Sequence, residues 1–299
     1  MSGNMTKDYP IACTDQKSHR ILVFSPSALD WSADESEIWS WSLLDVDGCN
    51  ELLQAWGLPT EAKLRHDPIR GGQCMIVTDS RGLAAIVPYP GGESLIWGVH
   101  VEGNPHSAEL LPNGNLAVAA STAGWVRVYA SSQGPTCEDY AELPFLGAHG
   151  VHWDSRRSVL WALGDNELVA LRLEGTDDQP KIVVDDRVPL PTRYGHDLHP
   201  VWGNDDRLWI TTVSHVYQYV ISSGRFDREY ADCSFMDRHD VKSIGNQPSG
   251  LIVSTSPKAG GLYEWTTDEI RFHGAPNRMR QGAAIYKARI WTPEYSSDK

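Results

Sequence analysis

Pro105-His-Ser-Ala-Glu-Leu-Leu-Pro-Asn-Gly-Asn-Leu-Ala-Val-Ala-Ala-Ser121 is the stretch whose reading decides the fold. A histidine opens one strand, Pro112-Asn-Gly-Asn115 makes a tight turn, and an apolar strand returns. The same phrase recurs along the chain. His149-Gly-Val-His152 precedes Val159-Leu-Trp-Ala-Leu163, and His196-Asp-Leu-His199 precedes Leu208-Trp-Ile-Thr-Thr212. His239-Asp-Val-Lys242 precedes Leu251-Ile-Val-Ser-Thr255, and a weaker copy leads from His66-Asp67 into Cys74-Met-Ile-Val-Thr78. A last copy keeps only Arg280-Gln281 ahead of Ile285 to Trp291. From His66 to Arg280 the opening positions are 40, 43, 47, 43 and 41 residues apart. A period near 40–45 residues with several short strands per unit predicts an all-β fold, a β-propeller.

The 299 residues suit one large all-β unit, because the repeat runs almost the length of the chain. Twelve Trp and eleven Tyr against five Phe fit sheets that pack on one another while some edges meet water. Five cysteines without close pairs or a CxxC argue against a disulfide framework or a cysteine zinc site. A net charge of −13 argues against nucleic acid as a partner, while leaving room for a local basic patch. No apolar run approaches the length of a membrane span, and the first ten residues lack a secretory core. A cytoplasmic location is therefore expected, and no nucleotide cofactor is indicated. Oligomeric state is left open.

The expected organisation is a polar tail over 1–9, a propeller over 10–295 with an insertion at 46–64, and a tail over 296–299. Six outer strands are expected near 37–42, 94–98, 138–142, 181–184, 228–231 and 268–272. Six four-stranded blades follow, with seven as the alternative. The segment 285–291 should pair with the N-terminal strands and close the ring, which removes exposed sheet edges.

Equivalent residues of successive blades lie on a ring about the axis, so the repeated histidines are expected at one mouth of the channel. His106, His149 and His196, with Tyr194, are the candidate proton-transfer residues, because a neutral imidazole can act as a base near pH 7. Arg65, His66, Arg193, Arg238, His239 and Arg280 are candidate binding residues for a carboxylate, phosphate or acidic sugar. Three residues further along, His152, His199 and Glu109 form a possible deeper ring, where a divalent ion (Zn²⁺, Mn²⁺ or Ca²⁺) is expected if the imidazoles converge.

The pattern 104–115 with Trp125-Val-Arg-Val-Tyr129, Cys13-Thr-Asp-Gln-Lys17, Arg20-Ile-Leu-Val-Phe24, Trp39-Ser-Trp41 and Tyr286-Lys-Ala-Arg289 resembles a family of bacterial and fungal propellers of unassigned function. A looser resemblance, in residue types and placement only, is to propeller polysaccharide lyases such as oligogalacturonate lyase. That resemblance implies proton removal beside a uronic carboxylate by His, Arg and Tyr, sometimes with a divalent metal. WD-repeat propellers supply a structural alternative. There a Gly-His pair at the same loop is a hydrogen-bonding element, matched here only by Gly195-His196. Asp79 and Asp165 would be its carboxylate partners.

The functional expectation is an enzyme acting on a small anionic or sugar-like ligand at a histidine-rich mouth, by β-elimination or isomerisation. The alternative is a non-catalytic binding or scaffold module in which the histidines are structural.

Overall fold

The structure, a computed structural model, describes residues 8–295. The tails expected at 1–9 and 296–299 lie outside the described residues except for Asp8 and Tyr9. Those two are tied down: Gln247 exchanges hydrogen bonds with the Tyr9 backbone, and Ser249 donates to Asp8.

Six four-stranded antiparallel sheets surround a central channel. The first blade pairs Ile285–Ile290 with Ile11–Asp15, Arg20–Phe24 and Glu37–Trp41, so the last strand closes the ring as its innermost member. The other inner strands are Pro59–His66, Pro105–Leu110, Gly150–Asp154, Gly195–Val201 and Ser243–Asn246. Among the described residues no helix is long and apolar enough to cross a membrane.

Each second strand is apolar on both faces because each blade is buried between two neighbours. Met75 and Val77 pack toward the first blade with Ala12, Val23 and Trp41, whereas Cys74 and Ile76 pack toward the third with Leu116 and Val118. Such a split repeats around the molecule, and six apolar clusters fill the six gaps between blades. A fully buried aliphatic side chain in such a gap contributes about 1.5–3 kcal/mol, so the wedges between blades hold the ring together.

Three expectations about strand placement are corrected. The inner strand of the second blade begins at Pro59, within the segment 46–64 read as an insertion, and only a 3-10 turn over Asn50–Ala55 interrupts the chain there. In the sixth blade 268–272 is not outer. Glu269–His273 is the third strand, and the two residues Arg278–Met279 form the edge. The edge strand of the fifth blade is Arg225–Asp227, just ahead of the expected 228–231. The sixth-blade displacement has one cause. The link between second and third strands is three or four residues in every other blade, but here runs from 256 to 268.

Candidate functional site

Strand register identifies the residues that begin each inner strand at one mouth. They are Thr60, His106, His149, His196, Lys242 and Tyr286, spaced 46, 43, 47, 46 and 44 residues apart. In the second, third and fifth blades this residue sits in a β-bulge, between Pro59 and Glu61, Pro105 and Ser107, and Gly195 and Asp197. A bulge turns one side chain out of the alternation and re-aims it. In the fourth and sixth blades the residue stands just before the strand, and its N–H still bonds the second strand (His149 to Leu163 O, 2.8 Å; Lys242 to Thr255 O, 2.9 Å).

The result is a cavity of about 610 Å³ bordered by His106, His149, His196, Lys242, Tyr286 and Trp265. Imidazole centroids stand 4.4 Å apart between His106 and His149, and 4.7 Å between His149 and His196. His106 Nδ1 lies 2.9 Å from Asn104 O, and His149 Nδ1 lies 3.1 Å from Gly147 O. A carbonyl can only accept, so in both rings Nδ1 carries the hydrogen and Nε2 is left as the acceptor. His196 Nε2 is 3.0 Å from the Tyr286 hydroxyl, and the pair can hold its shared proton on either atom. His196 Nδ1 is buried without a partner.

All three imidazoles are held neutral. Burial depresses each one first, and Lys242 and Lys287 push further down by charge repulsion; His149 is lowered to about 4. Burial and nearby carboxylates keep the Tyr286 phenol protonated. Lys242 is half-buried, and no acidic side chain among the described residues forms an ion pair with its ammonium. Burial lowers its pKa, the Asp240 charge raises it, and Lys287 lowers it.

Beneath the mouth the channel is filled by charge. Arg289 donates to both Glu61 oxygens (2.7 and 2.8 Å) and to both Asp197 oxygens (2.8 and 2.5 Å). Lys287 Nζ approaches Glu61 at 3.4 Å and donates to His106 O at 3.1 Å. Lys63 donates to Val151 O, Ala108 O and Ser107 Oγ, and stands 3.5 Å from Glu109. Arg65 grips Glu109 through Nε and Nη2 at 2.6 and 2.8 Å. Four cations thus face three carboxylates along the axis. Lys242 stands above them at the histidine mouth.

The expected site residues divide accordingly. His106, His149 and His196 come together. His66 does not: it ends the inner strand of its blade, at the opposite mouth, 3.2 Å from Glu294. Arg65 lies near that end too, committed to Glu109. His239 is 84% exposed beside Asp240, because in its blade the ring position belongs to Lys242 three residues later. Tyr194 is exposed and does not border the cavity. Arg193 bonds Asn166, Arg238 bonds Phe235 O, and Arg280 bonds Trp31 O and Glu37, so these arginines are engaged away from the imidazoles.

The residues expected to hold a divalent ion do not converge as a ligand set. Glu109 is taken by Arg65, His199 Nδ1 bonds Pro200 O at 2.9 Å, and His152 Nδ1 stands 3.5 Å from Glu109. Among the described residues no group of three or more His, Cys, Asp or Glu is arranged for a metal. Nor do the ring histidines pair with carboxylates in the WD-repeat manner. Asp79 instead caps the backbone N–H groups of Gly57 and Leu58.

Sequence reading missed Tyr286, Gln16 and Trp265 as site residues, and took His239 rather than Lys242 for the ring position of its blade. The signal for Tyr286 was available, since Tyr286-Lys-Ala-Arg289 alternates polar and small residues on an inner strand.

Residues 13–296 match a sequence family described as a family of unknown function, DUF6528. The chain belongs to that family. No curated protein matches the chain. Among solved structures it is similar to a protein of unknown function from Bacteroides caccae (10% identity, TM-score 0.51, 94% of this chain and 93% of that one). It is also similar to the hydrazine synthase of Kuenenia stuttgartiensis (15%, 0.48, 77% and 66%) and to a streptogramin B lyase (13%, 0.44, 78% and 70%). This chain thus spans just under two thirds of that hydrazine synthase chain. At 10% identity the likeness to the Bacteroides caccae protein is one of fold alone.

Proposed function

We propose that the histidine mouth binds a small anionic or sugar-like substrate and moves a proton on it, as a lyase or isomerase. The observation that carries this reading is Lys242: a half-buried ammonium with no acidic partner, beside three neutral imidazoles and a phenol. An unpaired cation in a desolvated place is costly unless something anionic joins it. A carboxylate would meet Lys242, as the substrate anchor the arginines were expected to supply.

The chemistry follows from the charges. A carbon acid next to a carboxylate becomes reactive when a cation stabilises the enolate-like charge that forms on proton loss. His106 or His149 accepts that proton on Nε2. These imidazoles are weak bases while Lys242 repels a second positive charge. A bound carboxylate offsets that repulsion and raises their basicity when substrate is present. The Tyr286–His196 pair then delivers a proton, to a departing oxygen in an elimination or to the neighbouring carbon in an isomerisation. In the elimination the C–H pair forms the C=C bond as the C–O bond breaks, and the departing oxygen keeps its pair and takes the proton. In the isomerisation the C–H pair forms an enediol with a neighbouring carbonyl carbon; the enediol hydroxyl then gives up its proton to become the new carbonyl as that carbon takes a proton, so neither path needs an external oxidant.

The test is a screen of hydroxylated carboxylic acids, following formation of a conjugated double bond by ultraviolet absorbance and proton exchange with D₂O by NMR. Wild type should exchange or eliminate on at least one acid. His149→Ala and Tyr286→Phe should lower the rate about 10²-fold or more. Turnover that survives both substitutions would overturn the assignment.

A further inference from the structure

The long link of the sixth blade, 256–268, is the feature the reading so far leaves unused. Second-to-third strand turns all lie at the histidine mouth, and this one, thirteen residues against three or four elsewhere, brings Trp265 to the cavity that Gln16 and Ser80 of two shorter links also border. It is held by its own bonds: Lys258 N to Thr266 O at 3.0 Å, Thr266 N to Tyr263 O at 3.1 Å, and a Lys258–Asp268 ion pair at 2.7 Å. Thr267 adds two backbone bonds to Ile285, at the start of the closing strand.

On this link Trp265 borders the cavity and is still 43% exposed. Its indole N–H donates to Gln16 Oε1 at 2.9 Å, and Gln16 is in turn fixed to Pro59 O. Tyr263 stacks on it at 5.3 Å with only 4° between the planes. A large aromatic fixed on one face and by its single donor, yet left partly bare beside a polar cavity, is a ready surface for a flat or C–H-rich ring face. The remaining polar groups narrow the choice. Among the described residues nothing donates to Nε2 of His106 or of His149, so a ligand that satisfies them must carry O–H groups as well as its anion.

We infer that the occupant of the histidine mouth is a sugar acid, a hydroxylated ring whose C–H face lies on Trp265 and whose carboxylate meets Lys242. The inference rests on reading the mouth as an anion site and adds the platform that selects the ring. Trp265 is the specificity-determining residue in this arrangement; it has no part in proton transfer.

Titration calorimetry of the full chain with D-glucuronate, D-galacturonate, D-glucose and benzoate tests it, with saturation-transfer NMR to find which ligand protons touch the protein. At least one hexuronate should bind, with ring C–H protons saturated, and more tightly than glucose or benzoate. Trp265→Ala should weaken it about tenfold and Trp265→Phe should restore most of the loss. Lys242→Met should reduce the hexuronate to the affinity of glucose. If benzoate binds best, or Trp265→Ala changes nothing while Lys242→Met abolishes binding, the sugar-acid inference falls and the anion site stands. If no carboxylate binds, or Lys242→Met leaves binding intact, both readings fall. Unchanged melting of the Trp265 variants establishes that any loss is local.

Discussion

The two mouths of the channel are built from the same six strands and treat charge in opposite ways. At the far mouth charged groups meet counter-charges: Arg65 holds Glu109, His66 meets Glu294, Arg156 meets Asp205, and Arg207 meets Asp227. The segment at 293–295 lies against that end, with Tyr295 stacked edge-on to His199 at 4.6 Å and beside the Arg65 guanidinium. At the near mouth, among the described residues, Lys242 forms no ion pair and nothing donates to Nε2 of His106 or of His149. One end has its charges matched and the other leaves polar groups unmatched. Polar groups left unmatched beside a cavity are poor for stability, so they point to a site, whereas matched ones point to structure.

The largest effect should come from the element both mouths share. Deleting residues 284–299 removes the inner strand of the first blade together with Tyr286, Lys287 and Arg289, and cooperative unfolding should vanish in calorimetry. Retained wild-type melting would dissolve the distinction between the two ends, since neither could then be intact.

Next is the plug between the mouths. Arg289→Met strands Glu61 and Asp197 in the interior, and a loss of about 3–5 kcal/mol is expected by denaturant titration. Lys242→Met should behave oppositely. It removes an ammonium that no acid partners, so stability should change by less than about 1 kcal/mol while ligand binding is lost. Equal destabilisation by the two variants would show that Lys242 is structural.

Acid provides a graded test. The imidazoles of His106, His149, His152, His196 and His199 all have folded pKa values below the ordinary 6.5, chiefly through burial, with His149 at about 4 and His199 at about 3. Between those values and 6.5 the unfolded chain binds more protons, so stability is full above about pH 6.5 and declines as pH falls toward 4. Melting temperature should therefore drop before the axial carboxylates protonate, because their cationic partners hold Glu61 and Glu109 well below the usual range, while Asp79, raised by burial to about 6, offsets part of the slope. His149→Gln should flatten part of that slope. A melting temperature that stays level from pH 6.5 to 4.5 would contradict it.

The smallest effects belong to the histidines that slipped out of the ring. His239→Ala and His66→Ala should each change stability by under about 0.5 kcal/mol and leave the near mouth unaltered, being exposed.

These slips define what the chain discloses before folding. His106, His149 and His196 could be recognised because three adjacent blades use the same residue at the start of the inner strand. The other three blades place Thr60, Lys242 and Tyr286 there, since backbone geometry repeats while side-chain identity does not. With those positions hidden, the nearest histidines, His66 and His239, were drawn into register, six residues late and three residues early. The propeller survived this because its evidence lay in the apolar second strands, which must be buried on both faces. Glu61, Lys63, Asp197 and Arg289 were invisible for a related reason. A polar residue alternating with small apolar ones reads as a solvent face, and only closure of the ring turns that face inward.

That closure also sets an order of events during synthesis. The strand Ile285–Ile290 carries the phenol of the near mouth and two of the four axial cations, and it follows every other strand out of the ribosome. Until it emerges, Glu61 and Asp197 lack Arg289 and must stay hydrated, and His196 has no hydroxyl to meet. A nascent chain with five blades assembled is thus still open to water along its axis. The paired axial charges and the finished ring arrive together, with the same half-dozen residues.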